Sequence, residues 1–135
     1  MTTIADTALI KIPVVEDTRG NLAFIQEGVL PYAINRVYYL YDVPSTSHRG
    51  GHSHKEQHET LIALSGSFEV ILNDGKNEKS VFLNKPNVGL HIVPGIWREL
   101  KNFSSGAICM VVSSDVFKEE DYIREFTAFL KSKKQ

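Results

Sequence analysis

The sequence predicts an all-β domain closed into a sandwich or jelly-roll barrel and followed by one short helix. Three observations carry this expectation. Short runs rich in β-branched and aromatic residues recur along the chain, turn residues separate them, and helical spacing is confined to the C-terminus. Closure follows because so many short strands in an open sheet would leave exposed edges.

The predicted strands are, in order, 9–15, 21–26, 34–41, 59–65, 68–72, 80–83, 89–93 and 107–113. Asp74-Gly75 marks a tight hairpin turn, since glycine accepts positive φ; Gly50-Gly51, Lys85-Pro86-Asn87 and Pro94-Gly95 mark other reversals. The helix rests on Ile123, Phe126, Thr127 and Leu130, with Glu119-Glu120-Asp121 before it and Lys131, Lys133 and Lys134 at its end, an order that suits the helix dipole. No repeat or linker divides the 135 residues, so residues 1–135 are expected to form a single domain.

Fifteen basic residues stand against sixteen acidic ones, a net charge of −1 that gives no global attraction for nucleic acid or an anionic membrane. Any anion must be held by a local cluster. No apolar run reaches membrane length and the first ten residues lack a signal pattern, which leads to a cytoplasmic expectation. The one cysteine, Cys109, lies in an apolar run and reads as a buried core thiol.

The densest polar segment is Arg49-Gly50-Gly51-His52-Ser53-His54-Lys55-Glu56-Gln57-His58-Glu59. In an extended chain His52 and His54 share a face, so two imidazoles converge. His48 and His58 read as ordinary surface or hydrogen-bonded histidines. This His-X-His, with Glu59 five residues beyond the second histidine and Gly66 seven beyond that, resembles the first motif of the cupin superfamily, a jelly-roll fold. Gly89, Pro94, Gly95 and Asn102 resemble the second motif, but Arg98 stands where a third metal-binding histidine is expected. A guanidinium cannot ligate a metal, whereas His52, His54 and Glu59 alone could still form a three-ligand set.

A closer resemblance covers nearly the whole chain. Asp17-Thr18-Arg19-Gly20, Arg36-Val37-Tyr38-Tyr39, Arg49 through Lys55, Gly66-Ser67, Asp74-Gly75, Trp97, Phe103-Ser104-Ser105 and Asp121-Tyr122-Ile123-Arg124 resemble the dTDP-4-oxo-6-deoxyglucose 3,4-ketoisomerases, the WxcM-like proteins of RmlC-like cupin fold. The departures are Glu59 in place of glutamine, His91 in place of an aromatic residue and Arg98 in place of histidine.

The resemblance implies an isomerase that moves the keto group of a dTDP-linked 4-oxo-6-deoxy sugar from C4 to C3, in the making of 3-amino-3,6-dideoxy sugars, without cofactor or metal. It implies a homodimer with exchanged N-terminal strands. It makes His54 the base for the carbon proton and His52 a substrate-orienting or oxygen-to-oxygen shuttle, roles that suit imidazole near neutral pH. Tyr38 is a candidate oxyanion donor or a barrel-lining aromatic. Arg19 and Arg49 are the stronger candidates for the diphosphate and Arg36 and Arg98 the weaker, with Glu59 a sugar contact. Trp97 is core or pocket wall. Rival readings are a 3,5-epimerase of the same sugar nucleotide, a metal-dependent cupin enzyme and a silent sugar-binding cupin; the epimerases generally have a longer chain and a single histidine within Arg-Gly-Leu-His.

Overall fold

A computed structural model describes residues 1–134. Twelve strands run in chain order as β1 (Ala8–Lys11), β2 (Val14–Asp17), β3 (Gly20–Ala23), β4 (Arg36–Leu40), β5 (Arg49–His54), β6 (Glu59–Ser65), β7 (Phe68–Asn73), β8 (Glu78–Leu83), β9 (Val88–Ile92), β10 (Trp97–Lys101), β11 (Ile108–Ser113) and β12 (Tyr122–Ile123). One helix, α1 (Phe126–Ser132), closes the chain. Two five-stranded sheets, ordered β1-β9-β6-β11-β4 and β12-β5-β10-β7-β8, make the jelly-roll sandwich, and β2-β3 form a separate hairpin.

Alternation sorts the side chains. On β6, Leu61 and Ala63 enter the space between the sheets, joined there by Cys109 and Val111 of β11, Phe68, Val70 and Leu72 of β7, and Leu100 of β10. The other face of β6 is buried too. Ile62 packs there with Ile12, Leu30 and Val112, because the chain before β4 folds back across this sheet, and Tyr32 bonds both Thr60 Oγ1 (2.7 Å) and Val112 O (2.6 Å). Cys109 is buried as expected, and burial followed by the Glu59 charge pushes its thiol up.

Four expectations need correction. The run 9–15 divides at Ile12-Pro13, where proline offers no N–H to a ladder, so β1 pairs with β9 and β2 with β3. Gly50-Gly51 is no reversal: Gly50, at φ +75°, sits in a bulge within β5, where pairing shifts from Arg98 opposite His52 to Leu100 opposite Arg49. A Cβ at Gly50 would come within 2.9 Å of Leu100 Cδ1. Ile123 belongs to β12, and the acidic residues form their own 3-10 turn (Glu119–Asp121), so they do not start the helix. Finally, β5, β10 and β12 were absent from the predicted strands.

Candidate active site

The sandwich is apolar at one end and polar at the other, and the register of its strands explains why. Across the first sheet, Arg36, Ser113 and Glu59 lie in one row, with Tyr38, Val111 and Leu61 in the adjacent inward row. The second sheet sets Arg98 opposite His52. Polar residues from five strands therefore face one another across the gap. They border a cavity of about 420 Å³ walled by Tyr38, Arg49, His52, Glu59, Arg98 and Arg124, among others.

Glu59 is the hub of the polar end. Its carboxylate is 1% exposed and accepts Tyr38 OH, Ser113 Oγ and Arg98 Nη1, each at 2.8 Å. Arg36 Nη2 lies 3.7 Å from it. His54 Nε2 stands 3.3 Å away, off the line of a well-formed hydrogen bond. Burial alone would raise the pKa of Glu59, but the contact with His54, the Arg98 charge and the Tyr38 hydroxyl outweigh it and hold the group well below the usual carboxylate range. Tyr38 moves the other way: burial and then the Glu59 charge keep its phenol protonated.

The two histidines occupy different positions. His52 lines the cavity, and its Nε2 is buried with no hydrogen-bond partner among the described residues. Burial, then the Arg98 charge, then His54 push its pKa down to about 2, so the ring is neutral with a free nitrogen. His54 has no exposed surface. Its ring meets His52 edge-on at 4.8 Å between centroids, and Tyr122 covers it at 4.4 Å. The expectation that His54 takes the carbon proton therefore meets an obstacle: His52, and not His54, reaches the cavity wall.

The arginines divide likewise. Arg49 is exposed at the cavity and makes no ion pair among the described residues. Arg98 is fully enclosed, with Nη1 on Glu59 and Nε and Nη2 on Ile96 O, so its donors are committed to the protein. Arg36 bonds Gln57 Oε1 at 3.0 Å and is held behind the wall. Arg19 lies at the tip of the β2–β3 hairpin, 88% exposed and paired with Asp17, outside the cavity of its own chain. Trp97 packs on Phe126 and Phe129 of the helix, a core role. His91 faces away from the cavity, stacked on His58 with their ring nitrogens 3.0 Å apart.

Sequence reasoning missed three contributors. Asp121 holds His54, Tyr122 covers the histidine pair, and Arg124 joins the cavity rim with its guanidinium 4.1 Å from the Tyr122 ring centroid. The signal was present in Asp121-Tyr122-Ile123-Arg124, but no spacing rule connects that segment to His52 some 70 residues earlier. His52, His54 and Glu59 do set donor atoms within 4.8 Å of one another, as a metal set would. They do not fit an ion: both Glu59 oxygens already accept from protein donors, and a buried guanidinium touches the oxygen a cation would need.

The family model described as "FdtA: WxcM-like, C-terminal" matches residues 5–134. A TDP-4-oxo-6-deoxy-alpha-D-glucose-3,4-oxoisomerase of Aneurinibacillus thermoaerophilus is 42% identical over 116 residues, covering 85% of this chain and 84% of that protein. The structure of a mutant 3,4-ketoisomerase QdtA from Thermoanaerobacterium thermosaccharolyticum, in complex with TDP-4-keto-6-deoxyglucose, is 38% identical with a TM-score of 0.95, covering 98% of this chain and 96% of the other. At 14% identity and a TM-score of 0.77, a dTDP-4-dehydrorhamnose 3,5-epimerase from Bacillus anthracis shares the fold over 90% of this chain and 79% of its own.

Proposed function

This chain belongs to the FdtA, WxcM-like family and is an isomerase, and we propose that it moves the keto group of TDP-4-oxo-6-deoxyglucose, or a close relative of that sugar, from C4 to C3. The observation that carries the mechanism is the unpartnered Nε2 of a neutral His52 on the cavity wall. The reaction needs the C3 proton removed and a proton returned to C4, while a second proton passes from O3 to O4; it is balanced without any redox change. His52 Nε2 takes the C3 proton and delivers a proton to C4. The low pKa of the free protein makes this base weak until charge develops on the substrate, which stabilises the imidazolium.

Tyr38, on the cavity wall, gives its hydroxyl hydrogen to Glu59 at 2.8 Å in the free protein; turned from Glu59 to the substrate, it passes that proton to O4 as the enediolate charge grows and takes the O3 proton in its place. His54 acts through Glu59 and the flank of His52. Arg49, the rim cation with no ion pair among the described residues, suits the diphosphate; Arg124 beside it is paired with Glu119 through Nε and Nη2 and would have to leave that carboxylate to join, while Arg98 anchors Glu59. A 3,5-epimerase shares the enolising first step, but the family match and the pair of histidines both favour the ketoisomerase. Turnover of TDP-4-oxo-6-deoxyglucose to the 3-oxo isomer tests the proposal; no turnover at micromolar enzyme rejects it.

The working unit is proposed to be a homodimer with exchanged N-terminal strands. A lone two-stranded hairpin is marginally stable, yet β2–β3 stands as its own sheet with Val15 and Leu22 more than half exposed. A second copy would cover it and carry Arg19 toward the neighbouring cavity. No helix is long and apolar enough to cross a membrane, and cytoplasmic location is part of the same proposal.

A further inference from the structure

Asp121 is a heavily committed carboxylate outside the cavity. It is 7% exposed, and it arrives from the C-terminal turn, more than sixty residues from its partners. Oδ1 accepts Glu56 N at 2.8 Å, and Oδ2 accepts Gln57 N at 3.2 Å. The backbone joins in: Lys55 N bonds Asp121 O at 2.9 Å, and Tyr122 pairs with His54 across the β12–β5 ladder. Both carboxylate oxygens are thus acceptors. The remaining contact, 3.0 Å from Oδ2 to His54 Nδ1, places the hydrogen on Nδ1.

This has a steric and an electronic consequence. With Nδ1 tied, the ring cannot flip or turn about its bond to Cβ, so Nε2 stays directed at Glu59 Oε1. The same ring supports the edge of His52 at 4.8 Å. Asp121 touches neither cavity nor substrate, and any effect it has on the reaction passes through His54.

We propose that Asp121 is a positioning residue of the isomerase site: it fixes the ring orientation of His54 and keeps a hydrogen on its Nδ1, and so holds that ring against the Glu59 carboxylate and the His52 flank for proton transfer. The inference rests on the ketoisomerase reading for its kinetic consequence, but its structural half can be read without turnover.

The first test uses unmodified protein carrying 15N-labelled histidine, with the His54 resonances assigned by their loss in His54→Asn. The expected result is a protonated Nδ1 with a downfield, slowly exchanging proton. An unprotonated Nδ1 overturns the proposal even if the protein proves not to be a ketoisomerase. The second test is Asp121→Asn. We expect kcat to fall on the order of 10²-fold, the effect of mis-setting an acid–base group, with KM changed less than about threefold and with the Nδ1 proton signal lost. His54→Asn combined with Asp121→Asn should be no slower than His54→Asn alone, because the two act in series. A folded Asp121→Asn protein with unaltered kcat, or multiplicative loss in the double variant, overturns it. Should Asp121→Asn fail to fold, the Nδ1 resonance of the unmodified protein still decides.

Discussion

Glu59→Gln isolates the electrostatics at the centre of the site. The side chains match in volume, so no cavity opens, but one acceptor oxygen becomes an NH₂ donor. The amide can keep its oxygen on Arg98 only by turning its NH₂ toward Tyr38 and Ser113, whose hydroxyls must then reverse and accept, and in either orientation the negative charge facing Arg98 is gone. Arg98, 1% exposed, would keep its charge with only neutral acceptors, the amide oxygen and the Ile96 carbonyl, in place of a carboxylate. Breaking one side of such a buried pair costs about 3–5 kcal/mol. At a urea m-value of about 2 kcal/mol per molar, the midpoint falls by roughly 2 M. The assay is urea unfolding at pH 7 and one fixed protein concentration, because assembly would add its own stabilisation. Adding Arg98→Met to Glu59→Gln should recover much of the loss by removing the orphaned charge. A Glu59→Gln midpoint within about 0.3 M of the parent, or a double variant showing the sum of the two single losses, would refute the hub role of Glu59.

Acid should destabilise the fold through His52. Its pKa is about 2 folded against 6.5 as a free group, so below pH 6.5 the unfolded chain binds the extra proton. The stabilisation is therefore complete above about pH 6.5 and erodes as pH falls; going from pH 7 to 5 should cost about 2 kcal/mol, and His52→Asn should flatten that slope, whereas an unchanged slope would remove His52 as its source. His52→Asn should also lower kcat on the order of 10²- to 10⁴-fold while the fold persists; near-normal turnover would reassign the base. Dialysis against a strong chelator should leave the rate unchanged and added zinc or manganese should give no stimulation, given the occupied oxygens of Glu59; chelator-sensitive activity restored by one ion would contradict this. In solution the mass at micromolar concentration should be that of two chains, and a fully active monomer would reject strand exchange.

The apolar strands were legible in the sequence because their alternation reports burial directly: β6, β7, β9 and β11 lie within a residue or two of their predicted ranges. All three missed strands contribute to the site. β5 turns Gly50, His52 and His54 inward and β10 turns Arg98 inward, so hydrophobic periodicity fails where polar groups occupy core positions. β12 is missed because its two residues are held by Asp121 and the β5 ladder, and helical spacing from Ile123 onward mimics a longer helix. The His-X-His pair was legible from period two, and Glu59 from the resemblance of its spacing to the first cupin motif. What could not be read was depth: nothing in the spacing says that His52 meets the cavity while His54 is sealed beneath Tyr122, or that the donors of Arg98 are consumed within the protein. Those facts depend on the bulge at Gly50 and on a C-terminal turn distant in sequence.

The most direct test of the central claim is NMR of TDP-4-oxo-6-deoxyglucose incubated with the enzyme in deuterated water. The account predicts that the ketone signal moves from C4 to C3, that solvent deuterium enters at C4, and that the C5 proton is untouched. Deuterium at C5, or a C4 ketone that persists while C3 exchanges, would contradict it and identify the enolising chemistry of an epimerase.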